Sequence, residues 1–325
     1  MNPFITHHVR QVRRPKRLAR GPVMKLSRRV RDNYANELKN KIFIPWREAT
    51  QRLLIDKLAG IEHLVEAERP GGLRADAVRL DTWADDVNGH INTLSTEYDN
   101  LSKQSHDIAL GVFKEVNSES HRQWYAGAKR VLGVDLTTYE PWLNTEAKAF
   151  VSENGTLITK TKAETIGNIN RIVMQGFRNG KRWESLSDEI LDGTDLQQGI
   201  FSKLDTRADL IARDQTSKLW GNLNEKRQTN AGIELYRWRT AEDERVRGTP
   251  GGTYPDARPS HFVMDGKYCS WKDPTVYAET LEEAMAGKWR LRTSIGGALE
   301  HPGQPINCRC YAEAVFQTLY AEATL

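Results

Sequence analysis

Between Asp243 and Cys310 the chain concentrates side chains able to transfer protons, attack electrophiles or bind metals. Asp243-Glu-Arg245-Val-Arg247 is followed, past a Gly/Pro-rich break, by Pro259-Ser-His261-Phe-Val-Met264-Asp265-Gly266. The segment closes with His301-Pro-Gly303-Gln-Pro-Ile-Asn307-Cys308-Arg309-Cys310. All three cysteines and two of the eight histidines stand here. His261, Cys269, His301, Cys308 and Cys310 are five candidate donors where a zinc ion takes four. Small, loop-rich modules with thin cores are the kind a metal stabilises. The spacing is unusual for zinc, because Cys308-x-Cys310 is tight and no second close pair accompanies it. In the competing reading the histidines bond loop carbonyls and the cysteines pack as small hydrophobes. Cys308 with His301 would form a nucleophile–base pair, and His261, Asp265 and Cys308 a hydrolase or transferase set. Nothing in the sequence supplies an orienting partner or an oxyanion hole, and no P-loop or dinucleotide fingerprint is present. Asp265-Gly266 between apolar runs predicts a type I′ hairpin turn. Asp243 and Arg245 predict a carboxylate–guanidinium brace. Asp243, Arg245, Asp265 and Gly266 are therefore read as structural.

The elements that must position this cluster begin with helices. Leu38, Ile42, Trp46, Leu53, Leu54, Leu58, Ile61 and Leu64 recur at helical spacing, with Pro45 as an expected kink. Arg69-Pro70-Gly71-Gly72 is a stop. Val78, Trp83, Val87, Ile91, Leu94, Tyr98, Leu101, Ile108, Val112 and Val116 form one apolar stripe. It predicts a single helix about 60 Å long, packed within the chain or self-associating through residues 83–116. Gly133 is expected to end the next helix, Asn154-Gly155 to turn the chain, and Thr161 with Glu164 to form a capping box. Further helices follow, ending near Asn179-Gly180 and Gly232. At Ile233 the period changes to alternation through Trp238, predicting a strand. Phe262-Val263, Lys267–Trp271 and Tyr311–Phe316 are expected as short strands, with a short helix over 280–287. The expected fold class is α+β: a mostly helical N-terminal two-thirds with a long helix, then a small C-terminal α+β module of short strands. The expected organisation is a basic extended arm at 1–31, a helical region at 32–199 and a C-terminal domain at 200–325.

Hydrophobic residues make up 38% of 325 residues, and the mean hydropathy is −0.64. No run of eighteen apolar residues predicts a membrane span, and no apolar stretch near the start reads as a secretory signal. Three cysteines are not a disulfide framework, which suits a reducing cytoplasm. The formal charge of +4 hides an asymmetry. Ten of the 47 Lys and Arg stand in residues 1–31, which hold no Asp or Glu, so the other 37 face 43 acidic residues for a net of −6. These ten are Arg10, Arg13, Arg14, Lys16, Arg17, Arg20, Lys25, Arg28, Arg29 and Arg31. Such an arm repels itself and extends, ready to neutralise DNA phosphates or an acidic protein surface.

Arg213-Asp214-Gln-Thr216, Leu235-Tyr-Arg-Trp238-Arg, Asp243-x-Arg245, His261-x-x-Met-Asp265-Gly266 and His301-Pro-Gly…Asn307-Cys308-Arg309-Cys310 follow one another in a recognisable order. Over about residues 200 to 317 this resembles the phage Mu protein F-like, or phage head morphogenesis, family of minor capsid proteins. The chain departs from that pattern where Gly248–Ala257 separates Arg247 from His261, and where relatives carry Cys-x-x-Cys. The resemblance implies a non-enzymatic virion protein, present in the host cytoplasm during assembly and then in the capsid interior or at the portal vertex. It also implies incorporation into the procapsid, contact with the portal and other capsid proteins, and contact with packaged or ejecting double-stranded DNA. It implies no cofactor; zinc enters only as a candidate from the His/Cys set. A stand-alone DNA-binding protein is the other reading of the arm.

Overall fold

The computed structural model describes residues 21–22, 24–68, 82–132, 139–194 and 197–316. Arg10, Arg13, Arg14, Lys16, Arg17, Arg20, the stop at Arg69–Gly72, Val78 and Gly133 lie outside the described residues. The architecture is α+β, with long helices first and a few short antiparallel strands last. The chain divides into two compact units that are not contiguous in sequence. One comprises residues 31–111 and 147–212. The other comprises 112–146 and 213–325 with the segment up to Val30. The boundaries, after residues 30, 111, 146 and 212, all fall inside helices.

In the first unit, α1 (Arg28–Leu38), α2 (Ile44–Thr50) and α3 (Asp56–Glu68) are joined by π-turns at Lys39–Phe43 and Gln51–Ile55. Pro45 does not break this run. It sits in the first turn of α2, directly after a π-turn, where its missing N–H removes no helical bond. The apolar stripe then divides into α4 (Trp83–Ser102) and α5 (Ser105–Leu132) rather than forming one helix. The cause is local: Ser102 Oγ bonds back to the Tyr98 carbonyl, and the Lys103 N–H closes a tight turn on Asn100. Thr82 and Asp85 cap the start of α4 reciprocally. Val87, Ile91, Leu94 and Tyr98 are all buried. Tyr98 stacks on Trp46, with ring centroids 4.5 Å apart, and its hydroxyl lies 2.5 Å from Thr50 Oγ1. Each such buried side chain contributes about 1.5–3 kcal/mol. Val112 and Val116, in the other unit, are buried too. The burial of these side chains accords with packing within the chain, one of the two expected readings of the stripe.

α6 (Leu143–Arg178) is a single helix of 36 residues, so Asn154-Gly155 does not turn. Asn154 is buried in it, donating to the Phe150 carbonyl and accepting from Tyr34 OH at 2.5 Å. That satisfied pair removes the residue's incentive to leave the helix. The Thr161 capping box is absent for the same reason: Thr161 Oγ1 bonds the Leu157 carbonyl in mid-helix, while Glu164 pairs with Arg207. α7 (Trp183–Leu191), the paired β1 (Gly193–Thr194) and β2 (Gln197–Gln198), and α8 (Ile200–Asn230) follow. No described helix is long and apolar enough to cross a membrane.

The second unit carries the C-terminal module. β3 (Leu235–Arg239) is central, flanked by β4 (Tyr268–Ser270) and β7 (Tyr311–Ala314), both antiparallel to it. β5 (Val276–Tyr277), α9 (Leu281–Met285) and β6 (Arg290–Leu291) form the connection between the outer strands. Phe262–Met264 is a 3₁₀ turn, not the expected strand. It precedes a type II turn, not type I′: Asp265 has φ −58° and ψ 131°, and Gly266 has φ 79°. The Met264 carbonyl accepts from Lys267 N–H across it.

The start of the chain joins this unit from Gly21 onward. Gly21, Pro22 and Met24 are buried, and α1 begins at Arg28. Arg29 lies 3.6 Å from Glu115, Arg31 pairs with Asp32, and Lys25 sits over the Tyr311 ring. The extended arm expected to reach residue 31 is thus packed chain from Gly21, because Met24 and Val30 have a core to enter.

Candidate functional site

Alternation along β3 organises the module. Tyr236 and Trp238, two residues apart, project to the same face and are fully buried. Each carries one of the candidate histidines. Tyr236 meets His301 with ring centroids 5.7 Å apart, and Trp238 meets His261 edge-to-face at 5.9 Å. Their strand pairing fixes the cysteines as well: Tyr236 faces Cys269 on β4, and Trp238 faces Ala312 on β7, two residues beyond Cys310. The five candidate metal donors therefore separate into two groups.

The first group surrounds Arg292, which is fully buried. Its Nε donates to the Val276 carbonyl at 3.0 Å, and its Nη1 to the Ala298 and Glu300 carbonyls at 3.1 Å each. Its Nη2 donates to Tyr236 OH at 2.9 Å, and the guanidinium lies over the Trp238 ring. Because Tyr236 OH accepts there, its own proton faces His301 Nδ1 at 3.0 Å. Burial and the nearby Arg292 charge push the His301 pKa down to about 4, so the ring stays neutral and accepts. Burial pushes the Cys269 thiol up to about 11, and its Sγ faces the Lys267 carbonyl. Cys269 and His301 are thus parts of a hydrogen-bonded brace, contrary to their expected grouping with the other donors.

The second group is His261, Cys308 and Cys310, whose donor atoms all lie within 4.8 Å of one another. Both sulfurs stand 3.5 Å from His261 Nδ1, and all three residues are buried. His261 Nε2 is buried without a hydrogen-bond partner. Burial opposes ionisation of Cys308. Hydrogen bonding with Cys310 and His261, with the Gly303 N–H 3.5 Å away, outweighs it and moves the Cys308 pKa well below the usual thiol value. Its bond to Cys308, together with burial, pushes Cys310 in the opposite direction.

Separate anchors set each loop. The Arg247 carbonyl accepts from both His261 and Phe262 N–H at 3.0 Å. Asn307, in the left-handed region at φ 56°, donates its N–H to Asp214 Oδ1 at 2.9 Å. That bond links the Arg213-Asp214-Gln-Thr216 helix motif to the Asn307-Cys308 motif. Gly303, at φ 94°, lets the loop approach α8, since a Cβ there would sit 2.9 Å from the Ser217 carbonyl oxygen. Arg309 reaches out between the two cysteines and grips Asp243 with both amino groups, at 2.5 and 2.7 Å. Burial works against the Asp243 carboxylate, but Arg309 and the Arg245 N–H outweigh it and lower its pKa.

The brace expected between Asp243 and the Arg245 side chain is therefore formed with Arg309; Arg245 contributes its backbone N–H. Asp265 Oδ1 accepts from Thr240 N–H at 2.9 Å and from Thr240 Oγ1 at 3.2 Å. The proposed hydrolase set of His261, Asp265 and Cys308 is not assembled: Asp265 is committed to Thr240, and His261 Nε2 has no orienting carboxylate.

Sequence reasoning missed Arg292, Tyr236, Asp214, and a second buried arginine, Arg227 on α8. The guanidinium of Arg227 clamps Glu140 through Nε at 2.7 Å and Nη2 at 3.1 Å. It also donates to Ser120 Oγ at 2.6 Å and Asn117 Oδ1 at 2.5 Å. Arg227 had a readable signal: Leu223 and Ala231, one turn away on either side, are apolar and buried.

Comparison with known proteins gives two matches. Residues 167–313 match the family model described as Phage Mu protein F like protein. This is the family that the motifs of residues 200–317 resemble, and the match begins earlier, within α6. An uncharacterized protein of Haemophilus influenzae (strain ATCC 51907 / DSM 11121 / KW20 / Rd) is 27% identical over 217 residues. That alignment covers 66% of this chain and 40% of the relative, so the chain spans less than half of that protein's length. No solved structure matches.

Proposed function

With the match of residues 167–313 to the Phage Mu protein F like model as premise, we propose that this chain is a phage head morphogenesis protein. It is a minor capsid component built into the procapsid, contacting the portal and other capsid proteins and the packaged or ejecting DNA. The family match is the observation that carries this reading. Two features of the chain support it. The C-terminal module is braced by buried Arg292 and polar loop anchors, which suits a rigid adaptor. The basic residues at the start of the chain suit contact with phosphates or an acidic portal surface.

Lys25, Arg28 and Arg29 are exposed on packed chain and stay candidates for the same contact, while Arg10, Arg13, Arg14, Lys16, Arg17 and Arg20 can be removed separately from them. Deleting residues 1–20 keeps Met24 and Val30, whereas deletion to residue 31 would remove both from the core. Each phosphate contact contributes about 0.9 to the slope of log K against log salt, so loss of six lowers that slope by roughly 5. Fluorescence anisotropy on a labelled duplex across a salt series measures it. An unchanged slope would take these residues out of DNA contact and leave the acidic portal surface as their partner. The proposal as a whole is tested by whether the chain travels with assembled heads.

A further inference from the structure

We propose that His261 Nδ1, Cys308 Sγ and Cys310 Sγ bind one thiophilic divalent cation, with Zn²⁺ the natural choice for this donor set. The site is independent of the head-assembly reading. Its geometry supports an ion. A tetrahedral zinc about 2.3 Å from sulfur and about 2.0 Å from nitrogen holds the two donors ~3.5 Å apart. Both sulfurs stand at 3.5 Å from Nδ1.

Hydrogen bonding alone uses this arrangement poorly. The imidazole Nδ1 offers either one in-plane proton or one in-plane lone pair, so it cannot make a well-aligned hydrogen bond to both sulfurs at once. A cation at their centre uses the nitrogen lone pair and both sulfurs together. With Nδ1 as ligand, Nε2 carries the ring proton. The ring is then oriented by its edge-to-face contact with Trp238 and by the Arg247 carbonyl that holds its backbone.

The donors come from two loops, His261 from one and the Cys308-Arg309-Cys310 turn from the other, and each loop is anchored before any ion arrives. Asp214 and Gly303 fix the approach to Cys308, and the Asp243–Arg309 pair fixes the turn between the two cysteines. Such preorganisation lowers the ordering cost of binding. Three protein ligands leave a fourth position for a water or another small ligand. Binding is proton-linked: each thiol that ligates releases its proton to solvent, and His261 binds in its neutral form. The ion would tie two loops of a module whose apolar core is small.

The test uses the full-length protein. After treatment with a chelator, Co²⁺ is added as a spectroscopic probe. One equivalent is expected to give thiolate-to-cobalt charge transfer and tetrahedral d–d bands, both displaced by Zn²⁺. Cys308→Ser with Cys310→Ser abolishes the bands, and Cys269→Ser retains them. Native-state alkylation, mapped residue by residue in the unaltered chain, avoids reliance on variants that fail to fold. At free Zn²⁺ 100 times Kd about one chain in a hundred is without metal, so alkylation of Cys308 and Cys310 slows ~100-fold while Cys269 is unaffected. Absence of the cobalt bands in the unaltered protein, or equal alkylation of Cys308 and Cys310 with and without Zn²⁺, would overturn the site.

Discussion

Replacing Arg227 with alanine is expected to destabilise the unit that contains it by about 3–5 kcal/mol. The side chain is essentially inaccessible and serves four acceptor atoms: both oxygens of Glu140, Ser120 Oγ and Asn117 Oδ1. Truncation removes the counter-ion of a mostly buried carboxylate and strands two further polar groups. Leaving Glu140 charged and unpaired is the dominant penalty, because a buried ion costs several kcal/mol without its partner. Glu140 Oε1 also accepts from Tyr125 OH at 3.2 Å, a further contact to α5, the helix that carries Asn117 and Ser120. Arg227→Met with Glu140→Leu separates charge from packing. The pair should recover most of the loss, since an apolar replacement of both partners is often nearly neutral. Urea unfolding followed by tryptophan emission measures each variant. A double variant no more stable than Arg227→Ala would show that the hydrogen bonds to Ser120 and Asn117, not the ion pair, hold this region.

Arg292→Lys is expected to be nearly as damaging as Arg292→Met, and each should cost about 3 kcal/mol or more. The reason is geometric. The guanidinium reaches three carbonyls and a tyrosine hydroxyl from fixed directions in a plane. A lysine ammonium keeps the charge but has three donors on one atom, so it cannot span Val276, Ala298, Glu300 and Tyr236 together. Each buried carbonyl left unsatisfied costs about 1–3 kcal/mol. The same loss frees Tyr236 OH to reorient and weakens its bond to His301. Thermal unfolding by circular dichroism gives the ranking. Wild-type stability in Arg292→Lys would mean that charge over the Trp238 ring is sufficient and the fork is not required.

Much of the fold was legible because its two periodicities are clean. The change from helical spacing to alternation at Ile233 marks β3, and the strand runs from Leu235 to Arg239. Misreadings arose where a distant partner overrode a local preference. Asn154-Gly155 reads as a turn, but Tyr34, 120 residues away, satisfies Asn154 inside α6. The stripe from Trp83 to Val116 reads as one helix, but Ser102 bonds the backbone behind it and the chain restarts at Ser105. In the site, residue type picked out five candidate donors, of which three come together, while spacing could not group them. Grouping depends on which side of β3 and which aromatic each donor meets, a property of strand register. Likewise, the acid of the Asp243 brace was recognisable, but its partner Arg309 lies 66 positions along the chain. Arg292, flanked by Leu291 and Thr293, offered no periodic signal at all.

Heads purified from the source that carries this gene provide the most direct measurement of the proposed head-protein role. Procapsids separated on a density gradient are analysed by quantitative mass spectrometry for copies of this chain per major capsid protein. The account predicts a constant, low copy number that co-migrates with the particles through repeated gradients and high-salt washing. A chain that remains wholly in the soluble fraction, with no copies in procapsids or filled heads, would contradict it.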